Sequence, residues 1–278
     1  MGLKQLLVPV ITIEDDRAAL EAGADLAVRF GGRATALILS IWRGPEFANA
    51  QSPLSEALMD IVKGAQSSAA VERGKIVAWL ENAAHRFDVQ DVTAEAALGR
   101  DEIVSHARVA DLIILARACQ HARARRELLE DVLFKSGRPM LLMPSSARAK
   151  QKWERILIAW NARPEVVRSI AGAMPLLQRA SGVRIVTVDV TPSTGWRGEV
   201  PGRDLAAYLA GHGVDAEVSN LDGLGREHAR AIADAALDFD ADLVVMGAYG
   251  HSRAREFVLG GVTRDALAES KTALWLAH

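Results

Sequence analysis

The chain has 278 residues, of which 50% are hydrophobic and 24% are charged, and its formal net charge is −2. This composition lacks the basic excess of a nucleic-acid-binding protein, so the expected ligand is a small molecule. No segment approaches the roughly 20 consecutive apolar residues of a membrane helix, and the first residues lack the pattern of a secretory signal. A single cysteine, Cys119, excludes an internal disulfide and fits a reducing compartment. We therefore expect a cytoplasmic protein without a membrane or nucleic-acid partner.

Predicted strands and helices alternate along the first half of the chain. A strand at residues 6–10 leads through a helical stretch to a second strand within residues 32–39. Residues 44–74 form an insertion with a helical run, which either covers a cleft or a partner surface or packs only as an extra helix. A strand at residues 110–115 then precedes a helix and a last strand at residues 139–143. This alternation predicts a mostly parallel sheet with helices on both faces.

The second half of the chain repeats this order. The first two segments align at an offset of 150 without a gap, and such a repeat indicates an internal duplication. We predict two doubly wound α/β domains, residues 1–146 and 153–278, each with five mostly parallel strands and joined by a polar linker. The aligned segments are residues 6–10 with 156–160, 32–39 with 182–189, 110–115 with 241–246, and 131–136 with 265–270.

Glycines at defined spacing follow the strand at residues 241–246 in the second copy. Gly247 and Gly250 are followed, after nine residues, by Gly260 and its neighbour Gly261, and a predicted helix then begins. Between a strand and a helix, glycines let backbone N–H groups approach a ligand, and the helix start adds unpaired donors that favour phosphate. The pattern predicts an anion-binding loop. The alternative is that the glycines only end the strand and form a turn.

This spacing, after an Asp-Leu-Val-Val-Met strand, resembles the nucleotide-binding loop of the universal stress protein family. The resemblance implies an adenine nucleotide, ATP or AMP, with Mg²⁺ as a candidate companion ion, in the second domain. Asn161 stands where ATP-binding members commonly carry an Asp, and Gly261 where a Ser or Thr is usual. The implied nucleotide-binding residues are Asn161, Val188, Met246, Gly247, Gly250, His251, Arg253, Gly260, Gly261, Val262 and Thr263.

The first copy has lost these glycines, because Ala116-Arg117-Ala118-Cys119 stands in place of the first two. Its loop at residues 117–126 is basic instead. This loop either holds an anion with its side chains or is a solvated loop and helix start. Its basic residues are Arg117, His121, Arg123, Arg125 and Arg126.

Two packing expectations accompany this assignment. One face of the helix at residues 164–180 should be buried, and it carries Val167, Ile170, Ala171, Met174 and Leu177. The last strands of the two copies, residues 139–143 and 273–277, should pair, because an unpaired apolar edge invites aggregation. They pair either within one chain, as an internal pseudo-dimer, or between two chains of a homodimer.

The expected function is nucleotide-dependent regulation in a stress response, through an unknown protein partner. We identify no catalytic residue and no metal-ligand set with paired spacing, so an enzyme is not the preferred interpretation. One alternative is a scaffold or partner-binding module of the same fold without a nucleotide. A slow ATPase is the third hypothesis, and it would need His251 at the γ-phosphate.

Overall fold

A computed structural model describes residues 2–42, 54–82, 87–117, 122–144, 152–189, 202–222, 228–248 and 271–278. The chain divides into two compact units, which meet in sequence between Arg138 and Pro139. In the described residues, no helix is long and apolar enough to cross a membrane.

The first unit contains a parallel sheet whose described strands lie in the order β3-β2-β1-β4. Its helices connect successive strands, as expected for parallel pairs that need a crossover. Its elements are β1 (Gln5–Val10), α1 (Ile13–Phe30), β2 (Arg33–Trp42), α2 (Leu54–Asn82), β3 (Phe87–Glu95), α3 (Ala96–Arg108), β4 (Leu112–Arg117) and α4 (Ala122–Lys135).

The second unit has its described strands in the order β5-β10-β9-β6-β7-β8, all parallel to their neighbours except β5. Its elements are β5 (Met140–Pro144), β6 (Arg155–Ala159), α5 (Pro164–Leu177), β7 (Gly182–Val188), α6 (Arg203–Gly211), β8 (Ala216–Leu221), α7 (His228–Asp238), β9 (Leu243–Gly247) and β10 (Ala273–Ala277). The predicted α/β class with a mostly parallel sheet is confirmed.

The central strands are buried on both faces. In β9 the run Leu243–Met246 is fully apolar and buried, and β10 is buried along its whole length. Continuous apolar strands of this kind are typical of parallel sheets covered by helices on both sides.

The duplication extends to individual hydrogen bonds at the start of each sheet. In the first unit, Asp111 Oδ2 accepts from the backbone N–H groups of Lys4 (2.8 Å) and Gln5 (2.9 Å). In the second unit, Asp242 Oδ2 accepts from the backbone N–H of Glu154 at 2.8 Å. Each aspartate precedes a central strand and holds the beginning of the neighbouring strand, which explains why the Ala-Asp-Leu sequence occurs in both copies.

The antiparallel pair β5 and β10 lies inside the second unit. Leu142 lies opposite Leu274, and Leu141 lies opposite Trp275. The last strands of the two copies therefore pair within one chain. β5 belongs to the second compact unit although it precedes the linker.

The buried face of α5 differs from the predicted one by about one residue. Val167 is 51% exposed and Ala171 is exposed, whereas Val166 and Ala173 are buried. The prediction used apolar residues only, whereas the buried face also carries a polar residue, Ser169. The Ser169 hydroxyl donates to the Met246 carbonyl oxygen at 2.7 Å. A count of apolar residues alone cannot detect a buried hydroxyl whose hydrogen bond offsets the cost of its burial.

Candidate functional site

Three strands of the second unit end at one edge of its sheet. The register places Ala159 of β6 beside both Met246 of β9 and Val186 of β7. Asn161, Val188 and Met246 therefore lie at the same carboxyl edge, where open α/β sheets usually bind ligands. Met246 is buried, Val188 is partly buried and Asn161 is exposed.

Gly247 ends β9 in close contact with the first turn of α5. A Cβ added to Gly247 would lie 2.7 Å from the backbone nitrogen of Val166 and 3.0 Å from Cβ of Glu165. Real Cβ atoms are not found that close to a backbone atom, so only glycine fits without a backbone shift. This glycine lets the chain leave β9 directly over the start of a helix.

Asn161 is held by a local turn before α5. Its side-chain Oδ1 accepts from the backbone N–H of Arg163 at 3.1 Å, and Ala162 between them has a left-handed backbone with φ of 56°. Pro164 then occupies the first helical position, where its missing N–H costs no helical hydrogen bond. The Asn161 amide group stays at the sheet edge as a neutral polar group.

The remaining predicted site residues lie outside the described residues. The residues concerned are Gly250, His251, Arg253, Gly260, Gly261, Val262 and Thr263. Cys119 and His121 of the first copy also lie outside them.

The model of the universal stress protein family matches residues 153–278. This match covers most of the second unit, so the second unit contains a universal stress protein domain. No curated protein matches the chain.

Solved structures of similar fold include universal stress proteins that span the chain. A universal stress protein from Archaeoglobus fulgidus is 14% identical with a TM-score of 0.71, covering 100% of this chain and 99% of its own. A functionally unknown protein from Pseudomonas aeruginosa PAO1 is 14% identical with a TM-score of 0.58, covering 99% of this chain and 92% of its own. At these identities the likeness shows the fold, and its coverage extends the universal stress protein fold to the first unit.

The corresponding edge of the first unit is closed by the chain itself. Asp16 is fully buried in α1, and its Oδ2 accepts from the backbone N–H groups of Ile11 (2.7 Å) and Thr12 (3.2 Å). Glu72 from α2 accepts from the backbone N–H of Ile13 at 3.2 Å. These carboxylates use donors that, at the start of a helix, would otherwise be available to an anion.

Arg125 completes this closure, and both interpretations of its loop were wrong for this residue. Its guanidinium donates to Asp16 Oδ1 (2.5 Å) and Oδ2 (2.9 Å), and it also contacts Asp15 at 3.3 Å. Arg125 is only 8% exposed. It is therefore neither solvated nor available to an external anion, because two internal carboxylates already neutralise it.

Sequence reasoning did not find this ion pair, although two signals for it were present. One signal is the acidic triplet Glu14-Asp15-Asp16 at the start of the first helix, and the other is the group of arginines in the loop at residues 117–126. At the offset of 150, the position of Asp16 is occupied in the second unit by Val166. Val166 and Asp16 occupy equivalent positions of the repeat, and both are buried. A buried aspartate where the other copy has a valine indicates that the first copy needs an internal cation.

The helix that begins in the insertion, α2, continues beyond residue 74, and the buried apolar residues that the structure describes in it lie in that later part. Ile76 and Leu80 of α2 are buried. Lys75 of the same helix forms ion pairs with Glu72 (2.7 Å) and Glu14 (3.3 Å). Through Glu72 and Lys75, α2 lies against the start of α1 and holds it.

Further polar groups, which the sequence did not identify, lie at the carboxyl edge of the second unit. Asp189, directly after β7, has a left-handed backbone with φ of 51°, and its Oδ2 lies 3.2 Å from His228 Nε2. His278 Nδ1 lies 3.2 Å from the Ala248 carbonyl oxygen. The Oε2 atom of Glu165, in the first turn of α5, is buried and has no hydrogen-bond partner within the described part of the chain. The edge therefore carries titratable side chains from several elements of the second unit.

Proposed function

We propose that this tandem universal stress protein, with domains at residues 1–146 and 153–278, binds one adenine nucleotide per chain, ATP or AMP, in the second domain. The observation that carries the proposal is Gly247, whose α-carbon packs on the Glu165–Val166 peptide where a Cβ would lie 2.7 Å from a backbone nitrogen. In phosphate-binding loops, glycines after a strand remove side chains, so that backbone N–H groups can reach the anion, and Gly247 is the first glycine of such a loop in this sequence.

Neighbouring residues supply the rest of the proposed site. Val188 and Asn161 lie at the ends of adjacent strands, where backbone and amide groups can bind a base and a ribose. The glycines at 250, 260 and 261, with Arg253, would surround the phosphates by backbone N–H groups and one guanidinium.

The first unit supports a stoichiometry of one. Its helix start is satisfied by Asp16 and Glu72, and Arg125 fills the adjacent space. An incoming phosphate would have to displace a buried carboxylate that already holds a buried guanidinium.

The proposed role is regulation in the cytoplasm. A nucleotide that binds one conformation of the second domain more tightly than another shifts the population between them. A protein partner that recognises one conformation would then respond to the nucleotide concentration. The proposal requires no catalytic residue.

Isothermal titration of nucleotide-stripped protein with ATP and Mg²⁺ tests this function. We expect about one site per chain, lost when Gly250 and Gly260 are replaced by valine. Gly211→Ala is the matched control, since a Cβ added at Gly211 meets nothing within 4 Å. At about 100 times Kd, ATP should also stabilise the second domain by about 2.7 kcal/mol. Absence of both heat and thermal protection at millimolar ATP would refute nucleotide binding and favour the scaffold.

A further inference from the structure

Glu165, in the first turn of α5, lies next to Gly247, where the proposed phosphate site begins. Glu165 Oε2 is buried without a hydrogen-bond partner among the described residues. Its side chain begins next to Gly247, because a Cβ on that glycine would lie 3.0 Å from the Glu165 Cβ. An unsatisfied buried acceptor is unfavourable, and such a group in a native fold indicates a missing water, ion or ligand.

The charge of Glu165 makes a bare phosphate a poor neighbour. Phosphate and carboxylate are both anions that only accept hydrogen bonds, so bringing them together is unfavourable unless a cation lies between them. Mg²⁺ is usually bound by one or two carboxylates together with substrate phosphates and waters. One carboxylate with a single buried oxygen, next to the proposed phosphate site, fits this mode of binding.

The rest of the edge agrees with a metal that arrives with the nucleotide. Across the described ranges, no group of three or more His, Cys, Asp or Glu side chains could hold a metal by itself. The nearby carboxylate of Asp189 already has His228 as a partner at 3.2 Å. Glu165 is therefore the carboxylate at this edge whose buried oxygen is left to a ligand.

We propose that Glu165 is a protein ligand of a divalent cation bound together with the nucleotide phosphates. This inference rests on the proposed nucleotide site and adds a property to it. With Glu165 present, ATP should bind tightly only as its metal complex, so the site discriminates magnesium-bound from free ATP.

The test is the affinity for ATP with Mg²⁺ and with EDTA, measured by titration calorimetry on the full chain for wild type and Glu165→Gln. In wild type, Mg²⁺ should tighten ATP binding by about tenfold or more. In Glu165→Gln this gain should largely disappear. Binding of ATP in EDTA should stay equal or become tighter, because a repulsive charge has been removed. A merely structural glutamate would weaken both conditions alike.

A direct readout uses Mn²⁺ in place of Mg²⁺. Electron paramagnetic resonance should show Mn²⁺ immobilised by wild type in the presence of ATP, and weaker immobilisation by Glu165→Gln at equal nucleotide occupancy. Glu154→Gln is the matched control, since this exposed glutamate precedes β6 at the opposite edge of the sheet. An unchanged thermal midpoint confirms that the variants fold.

The two proposals fail in different ways. If ATP binds and Glu165→Gln keeps the wild-type magnesium dependence and Mn²⁺ signal, the metal-ligand role is refuted and the nucleotide site remains. If wild type binds ATP in neither condition, both are overturned.

Discussion

The buried pair of Asp16 and Arg125 gives a sharp prediction about the first unit. Arg125→Met removes the guanidinium but keeps most of the apolar stem, and leaves the fully buried Asp16 carboxylate without its cation. Breaking a buried ion pair from one side costs about 3–5 kcal/mol. Asp16 keeps the backbone N–H groups of Ile11 and Thr12 as donors, so we expect the lower end, about 3 kcal/mol.

A double-mutant cycle separates the pair from its surroundings. Asp16→Asn should cost a similar amount, because the amide still accepts from the backbone but leaves Arg125 buried beside a neutral group. With both changes no buried charge remains, and the loss should be smaller than the sum of the single variants by about 2 kcal/mol or more.

Hydrogen exchange is the appropriate assay, because a chain of two units need not unfold in one step. Amides of α1 and α4 should lose protection in Arg125→Met, whereas those of α5 should not. Arg17→Met is the control, since Arg17 pairs with Glu21 on the surface with side chains 63% and 44% exposed, and should cost well under about 1 kcal/mol. A loss in Arg125→Met no larger than in Arg17→Met would refute the closure of the first-unit edge.

Three further predictions concern the second unit. Burial raises the pKa of the Asp242 carboxyl, although backbone hydrogen bonds partly oppose this. The fold therefore favours the protonated Asp242 carboxyl. The stability gained from this protonation is full below the unfolded-state pKa and is lost as the pH rises through the folded-state pKa. Thermal midpoints between about pH 3.5 and 7 should show this loss in wild type and in Asp111→Asn, but not in Asp242→Asn. Trp275 is fully buried with an indole N–H that lacks an acceptor in the described residues, so Trp275→Phe should cost only the cavity left by the smaller ring, about 1–2 kcal/mol. A loss of about 3 kcal/mol or more in denaturant titration would show that the N–H is satisfied. Ser169→Ala should cost about 1 kcal/mol, because it removes a buried hydrogen bond to the Met246 carbonyl oxygen, and a loss below about 0.3 kcal/mol would contradict that contact.

Local signals in the sequence were enough for the fold and for the strand ends at which the candidate site is predicted. The apolar run of β9 and the offset of 150 are periodic patterns, and they identify a parallel sheet without reference to distant residues. Gly247 stands out in the sequence for the same reason, because a glycine directly after an apolar strand is a local signal. Its close packing against α5 is visible only in the structure.

The features that sequence reasoning missed depend on contacts between distant residues. Arg125 and Asp16 are 109 positions apart, and nothing local distinguishes this arginine from its exposed neighbour Arg126. The rotation of α5 depends on one hydroxyl reaching the carbonyl oxygen of a residue 77 positions away. In the sequence, Glu165 looks like an ordinary acidic residue in a first helical turn. Only the structure shows that one of its oxygens is buried and that its side chain begins next to Gly247.

The place of β5 determines where the chain can be cut. A fragment that starts in the linker, at residue 153, would contain β10 without the strand that pairs with it. Ala273–Ala277 would then be a bare apolar edge, able to recruit a strand from another molecule. A fragment that starts at Pro139 retains its own β5. The longer fragment should therefore be monodisperse at concentrations where the shorter one aggregates, which makes Pro139 the starting point for expressing the second unit alone.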